Sequence, residues 1–258
     1  MRPQLTYYDL GEGVTAFSTT RHGGYSQGNY SELNVNLYCG DALEAIRQNR
    51  ILLCQELDIT TDRLIIPHQV HGKTIFRVTD NFLLMPDTTR NQELDGVDAV
   101  MTNVRDVCIG VSTADCIPIL IYSPECHAAC AVHAGWRGTV QRITHEAVLA
   151  MVKAYQCSPE RLMAVIGPGI SLKNFEVGDE VYEQFRNADF PMDLISKRYT
   201  KWHIDLWACN RLQLQSAGLL PQHIQVSGVC TYDHADDFFS ARRLGIDSGR
   251  IFTGIVIR

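Results

Sequence analysis

Four short apolar runs, at residues 97–101, 107–111, 117–122 and 128–132, constrain this chain more than any other feature. They are near-continuous stretches of Val, Ile, Ala and Cys, not apolar–polar alternations. A strand with one wet face alternates with period two, whereas an unbroken apolar run suits a strand covered on both faces. The chain is therefore expected to fold around sheet buried between other layers. Further strands are expected at 14–18, 64–66, 74–78, 162–166, 224–229 and 251–257. Helices are expected at 41–57, where Asp41 is the N-cap and Glu44 follows three residues on, and at 139–154, where Val140, Ile143, Ala147, Val148 and Met151 fall at helical spacing. A short helix is expected at 177–186. Another at 205–217 is capped by Asp205 and stopped by Gly218 and Pro221. Residues 81–93 read as a mobile loop and 190–201 as an irregular connection. Many strands, few scattered helices and no strict βαβ repetition predict an α+β fold. With no repeat, linker or low-complexity tract, residues 1–258 read as one domain.

The 258 residues, 45% hydrophobic and 20% charged, suffice for a packed core. A net charge of −6 with no basic stripe argues against nucleic acid or an anionic membrane as main partner. No apolar stretch approaches the roughly 20 residues of a membrane span, and residues 1–10 lack a signal-peptide core. A cytoplasmic protein is expected. The nine cysteines are odd in number and irregular in spacing, which reads as reduced thiols. No G-x-G-x-x-G opens a helix and no Walker-type loop occurs.

Three motifs fall at predicted strand ends: His68-Gln69-Val70-His71-Gly72, Thr113-Ala114-Asp115-Cys116, and Ala131-Val132-His133-Ala134-Gly135-Trp136-Arg137-Gly138. Two histidines and one cysteine brought together would make a mixed N/S metal site with an open fourth position, the pattern of a catalytic zinc. The same Cys and His could form a metal-free nucleophile and base. Alternatively the histidines cap strand ends and Cys116 is core. In a strand, His68 and His71 would point to opposite faces, so at most one faces a site. Asp115 could orient a ligand histidine or cap its turn. Arg137 sits where the Gly135–Gly138 turn can present N–H groups to an anion, or is a solvated arginine. Arg21, in Thr20-Arg21-His22-Gly23-Gly24, could grip a phosphate or carboxylate bidentately, or lie on the surface of a glycine turn.

These motifs, with Pro118 after Cys116-Ile117, Ile166-Gly167-Pro168-Gly169-Ile170, Phe239-Ser240-Ala241-Arg242-Arg243 and Asn34-Val35-Asn36-Leu37, occur in an order that resembles the YfiH-type family. That family is also called multicopper polyphenol oxidoreductase (laccase), and its members are described as purine nucleoside phosphorylases. The resemblance covers nearly the whole chain. It implies a single α+β domain of stacked mixed sheets with helices on the outer faces. It also implies a metal centre with His71, Cys116 and His133 as ligands. The implied reactions are phosphorolysis of adenosine, inosine and methylthioadenosine, and deamination of adenosine. Copper-dependent phenol oxidation and editing of peptidoglycan precursors are further activities linked to the family. The chain departs from the family pattern at Asn174-Phe175, at Tyr38-Cys39-Gly40-Asp41 and in a longer stretch, 244–248, after Arg243. These departures bear on the pocket rim, not on the three ligands.

A multicopper cluster needs many imidazoles, and the nine histidines form no H-x-H pair. One zinc on two histidines and a cysteine suits deamination of a purine ring. Phosphorolysis also needs an anion site, for which Arg21 and the Gly135–Gly138 turn are the candidates. The expected partners are a nucleoside and phosphate, the expected cofactor zinc with copper as the other possibility, and the expected assembly a monomer or small homo-oligomer.

Overall fold

The computed structural model describes residues 1–258. Two mixed sheets pack face to face. The first has five strands in the order Leu5–Tyr8, Val14–Thr19, Ile251–Ile257, Cys108–Thr113 and Leu64–Ile65, antiparallel except for the last pair. The second has six in the order Ile224–Val226, Met163–Ile166, Ile117–Ser123, Ala128–Ala134, Ala99–Thr102 and Ile75–Val78; its two outermost pairs are parallel and the inner ones antiparallel. A small third sheet joins Glu176–Val177, Trp202–Ile204 and Ser196–Arg198. The fold is α+β with stacked mixed sheets and outer helices.

The apolar runs have their cause in this stacking. Along Cys108–Thr113, Ile109 and Val111 face the second sheet, where they meet Val100, Leu120, Ala129, Ala131 and Val165, with Ile255 and Ile257 beside them. Cys108, on the opposite face, joins Phe17, Phe252 and Val256 under Leu53 and Cys54 of the Leu43–Glu56 helix. The far side of the second sheet, with Ile119, Ile121, Cys130 and Val132, lies under helices Ile143–Tyr155 and Leu206–Ser216. Both faces of the central strands are dry, so neither alternates. All nine cysteines are free thiols, seven of them buried.

Several elements differ from the sequence reading. The first long helix begins at Leu43 with Ala42 as N-cap, because the Asp41 carboxylate accepts from Ser26 Oγ at 2.6 Å and Asn34 Nδ2 at 2.9 Å instead of capping. The helix expected at 139–154 is two, Trp136–Val140 and Ile143–Tyr155, broken at Arg142, whose backbone is left-handed (φ 65°). Arg142 is held there by Nη2 donation to Ala188 O at 2.6 Å and by stacking over Phe190. The expected loop at 81–93 contains helical turns Asp80–Leu83 and Asp87–Glu93, fixed by burial of Phe82 and Leu94 in the inter-sheet core and by Thr79 capping Phe82 N. Strand Leu5–Tyr8 was not apparent in the sequence; its burial is only partial.

Twice the chain leaves the first sheet for the second at the same end of the sandwich. Cys116 lies on one crossing, between Cys108–Thr113 and Ile117–Ser123, and His71 on the other, between Leu64–Ile65 and Ile75–Val78. His133, in strand Ala128–Ala134, is paired in register with Pro118.

Candidate metal centre

The donor atoms of His71, Cys116 and His133 lie within 4.8 Å of one another. The two imidazoles meet edge to face, centroids 4.8 Å apart. His133 is buried, Cys116 half-buried and His71 exposed to the cavity mouth. Two site residues have left-handed backbones, His71 (φ 62°) and Asp115 (φ 83°), a conformation uncommon outside glycine. At His71 it breaks the strand alternation assumed for the motif, so His68 and His71 both line the cavity.

Asp98 organises the cluster, and the sequence reading passed over it. It is fully buried. Its Oδ1 accepts from His133 Nδ1 at 2.8 Å and from the His71 backbone N–H at 2.9 Å. Its Oδ2 accepts from Gly72 N at 2.7 Å and Val70 N at 3.3 Å. One carboxylate therefore fixes the His133 ring, leaving Nε2 toward Cys116, and clamps the turn carrying His71. The available signal was a charge in the dry run Val97-Asp98-Ala99-Val100, where an acid survives only with partners. Burial works to raise the Asp98 carboxyl; the hydrogen bond and charge of His133, with the Gly72 and Val70 amides, outweigh it and hold the group below its ordinary value.

The same competition sets the thiol. Burial alone would raise Cys116, but the His133 charge and hydrogen bonding from His133 and His71 bring it down to about 6. Burial alone would lower His133, but the Cys116 sulfur and Asp98 raise it to about 9. At neutral pH the metal-free pair is a thiolate beside an imidazolium.

Gly135 leaves room for the cluster. A Cβ there would stand 2.8 Å from His71 Cδ2 and 3.1 Å from Cys116 Sγ. The donor set is one soft thiolate and two imidazoles, the last oriented by a carboxylate, a combination that fits zinc.

The cluster opens into a cavity of about 320 Å³, also lined by Asn36, Tyr38, Gln69, Ser112, Thr113 and Arg250, with no Asp or Glu on its wall. Tyr38 stacks on His68 with centroids 4.2 Å apart, and His68 Nδ1 is held by Asp95 at 2.6 Å. Tyr38 and Cys39, from one departing stretch, and Ile246, from another, face this cavity.

The other three expected site residues lie elsewhere. Arg21 donates from Nε to Ser31 O at 2.7 Å and from Nη1 to Ala235 O at 2.8 Å, and sits over Phe239; it is off the cavity wall. Asp115 accepts from Thr231 Oγ1 at 2.6 Å and Arg242 N at 2.7 Å, so it ties the Cys116 turn to the C-terminal segments and orients no histidine. Arg137 is exposed and stacks on Trp136.

This fold of two stacked sheets and a small third, with His71 and Cys116 on the crossings beside the strand of His133, accords with the match of residues 15–258 to the family described as multi-copper polyphenol oxidoreductase laccase. The chain belongs to that family. Over 247 residues it is 44% identical to a purine nucleoside phosphorylase of Bacteroides thetaiotaomicron, covering 95% of this chain and 92% of the other. It is 40% identical to adenosine deaminase RL5 of an unknown prokaryotic organism, covering 95% and 94%. The crystal structure of YlmD from Geobacillus stearothermophilus superposes with a TM-score of 0.89 at 32% identity, covering 97% of this chain and 94% of that one.

Proposed function

We propose that this chain is a purine nucleoside phosphorylase. It takes adenosine, inosine and methylthioadenosine with phosphate to the free base and the corresponding ribose 1-phosphate, and it deaminates adenosine at the same centre. His71, Cys116 and His133 would hold zinc, copper being the other candidate, and when bound the metal supplies Lewis-acid chemistry. The observation that carries the reading is the compact His-Cys-His cluster opening into a cavity large enough for a small ligand. The names of the two relatives support the two reactions. We place the protein in the cytoplasm as a monomer or small homo-oligomer; no helix is long and apolar enough to cross a membrane.

The chain's own residues account for binding and orientation. The Tyr38–His68 stack offers an aromatic face to a purine. Asp98 keeps His133 Nδ1 protonated so that Nε2 serves the cluster. Thiolate character at Cys116 means that the proton released when metal binds near neutral pH leaves His133 Nε2 and not the sulfur. A multicopper oxidase centre would need several donor sets, and the chain gathers one.

The test is product analysis of zinc-loaded wild type and Cys116→Ala with adenosine and inosine, with and without phosphate. Phosphate-dependent release of adenine and hypoxanthine, absent in the variant, is expected; inosine formed from adenosine without phosphate marks deamination. A folded, metal-loaded wild type that turns over none of these nucleosides refutes the reading. One observation favours a second reading. The lowered Cys116 thiol beside His133 suits a nucleophile and base acting on a peptidoglycan precursor. That reading requires activity that survives chelation and is lost on thiol alkylation.

A further inference from the structure

Inside the cavity two hydroxyls are left without partners. Ser112 is 6% and Thr113 1% exposed, both line the cavity, and neither Ser112 Oγ nor Thr113 Oγ1 has a hydrogen-bond partner. A buried hydroxyl without a partner is unfavourable, and such groups mark places where something else completes the bond. The backbone here is deliberately held. Gln69 clamps Ser112 from both sides, Nε2 donating to Ser112 O at 2.8 Å and Oε1 accepting from Ser112 N at 2.7 Å.

One guanidinium lies on the same cavity wall. In register Ser112 faces Phe252 and Thr113 faces Ile251, so Arg250 lies one residue beyond the Thr113 pair, at the cavity wall. Its Nη1 donates to Ser248 O at 2.5 Å and Gly249 O at 3.0 Å, and its Nη2 to Ile246 O at 3.0 Å. These carbonyls fix the fork but do not cancel its charge, and no carboxylate forms an ion pair with it. Around it the wall carries three imidazoles, His68, His71 and His133, and no acid, in a chain whose net charge is −6. A rigid cation, free hydroxyl donors and an acid-free wall are what an oxyanion requires.

We propose that Arg250 and Ser112 form the binding site for inorganic phosphate; Thr113, the next residue of the strand, projects from its other face. The inference rests on the phosphorolysis reading above and moves its anion site from Arg21, which lies off the cavity wall, to Arg250, which lies on it. The phosphate so held is the nucleophile. One of its oxygens forms the bond to ribose C1′ while the C1′–N9 bond breaks, its electron pair leaving with the purine, which takes a proton from water.

The experiment compares zinc-loaded wild type with Arg250→Gln, Ser112→Ala and Thr113→Val. Two quantities are read: the KM for phosphate against the KM for inosine, and the calorimetric titration of inorganic phosphate in the presence and absence of inosine. Arg250→Gln is expected to raise the phosphate KM by about tenfold or more and Ser112→Ala by about threefold, with the phosphate KM of Thr113→Val and the inosine KM of all three moving less than about twofold. A folded Arg250→Gln with unchanged phosphate KM overturns the proposal. Should that variant fail to fold, unchanged phosphate KM in Ser112→Ala overturns it equally. If wild type releases no base at any phosphate concentration, the functional reading has failed, and calorimetry decides the subsite alone. Phosphate heat present in wild type and lost in Arg250→Gln and Ser112→Ala upholds the site; its absence in wild type removes it. Binding of adenosine 5′-monophosphate but not inorganic phosphate also overturns it, since the site would then serve a phosphate ester.

Discussion

Replacing Asp98 by Asn tests whether one buried carboxylate organises the centre. The substitution keeps the shape and removes one acceptor oxygen. With the amide oxygen in the Oδ1 position, Gly72 N and Val70 N face an NH₂ group; with it in the Oδ2 position, His133 Nδ1 and the His71 amide do. Either way two donors lose their acceptor, at about 1–3 kcal/mol each, so folding of the metal-free protein should weaken by about 2–6 kcal/mol. Loss of the His133 partner should also lower zinc affinity by roughly 10–100-fold. Urea unfolding of metal-free protein and zinc competition against a chromophoric chelator measure the two effects. The pH dependence has a definite sign. Asp98 is held below its ordinary value in the fold, so its contribution is present above the ordinary carboxylate pKa of about 3.9 and disappears as pH falls through the folded value. The stability gap between wild type and Asp98→Asn should therefore close in acid. A variant with wild-type zinc affinity and a stability gap below about 0.5 kcal/mol at pH 7 would refute the role given to Asp98.

In metal-free protein, iodoacetamide should alkylate Cys116 with a midpoint near pH 6, against about 8.5 for an ordinary thiol, and added zinc should suppress the reaction. A midpoint above pH 8 by mass spectrometry contradicts the thiolate–imidazolium pair. Gly135→Ala should fold yet lose most of its zinc affinity, because the new methyl stands 2.8 Å from the His71 ring; full zinc occupancy by metal analysis would show that the cradle yields. Gly110→Ala should be destabilised by roughly 1–3 kcal/mol or more, since its Cβ would overlap the Phe252 ring across the Cys108–Thr113 and Ile251–Ile257 pair; a thermal midpoint unchanged from wild type argues against that packing.

By itself the sequence determined the layers. Runs such as 117–122 and 128–132 carry no polar alternation, so their strands had to be covered on both faces, and α+β stacking follows from that dryness. It also displayed the three motifs with His71, Cys116 and His133, through their resemblance to a family. Local rules failed where tertiary partners compete for the same group. Asp41 is a fitting N-cap by propensity, but Ser26 and Asn34 claim its carboxylate. Residues 139–154 read as one amphipathic helix, but Ala188 and Phe190, far along the chain, hold Arg142 in the left-handed region and break it.

The site divides along the same line. That a histidine and a cysteine are candidates for chemistry can be read from residue type. Which acid orients the histidine cannot, because Asp98 and His133 are 35 residues apart and meet through the pairing of their strands. Asp115, adjacent to the cysteine, was the natural candidate in the sequence, yet its carboxylate belongs to Thr231 and Arg242. Arg21 and Arg250 are equally plausible anion partners as letters. Only the register of Ile251–Ile257 against Cys108–Thr113 sets one of them on the cavity wall. Residue type fixes which atoms can donate, accept or ligate; the meeting of groups distant in sequence is fixed by strand register and by the two crossings between sheets.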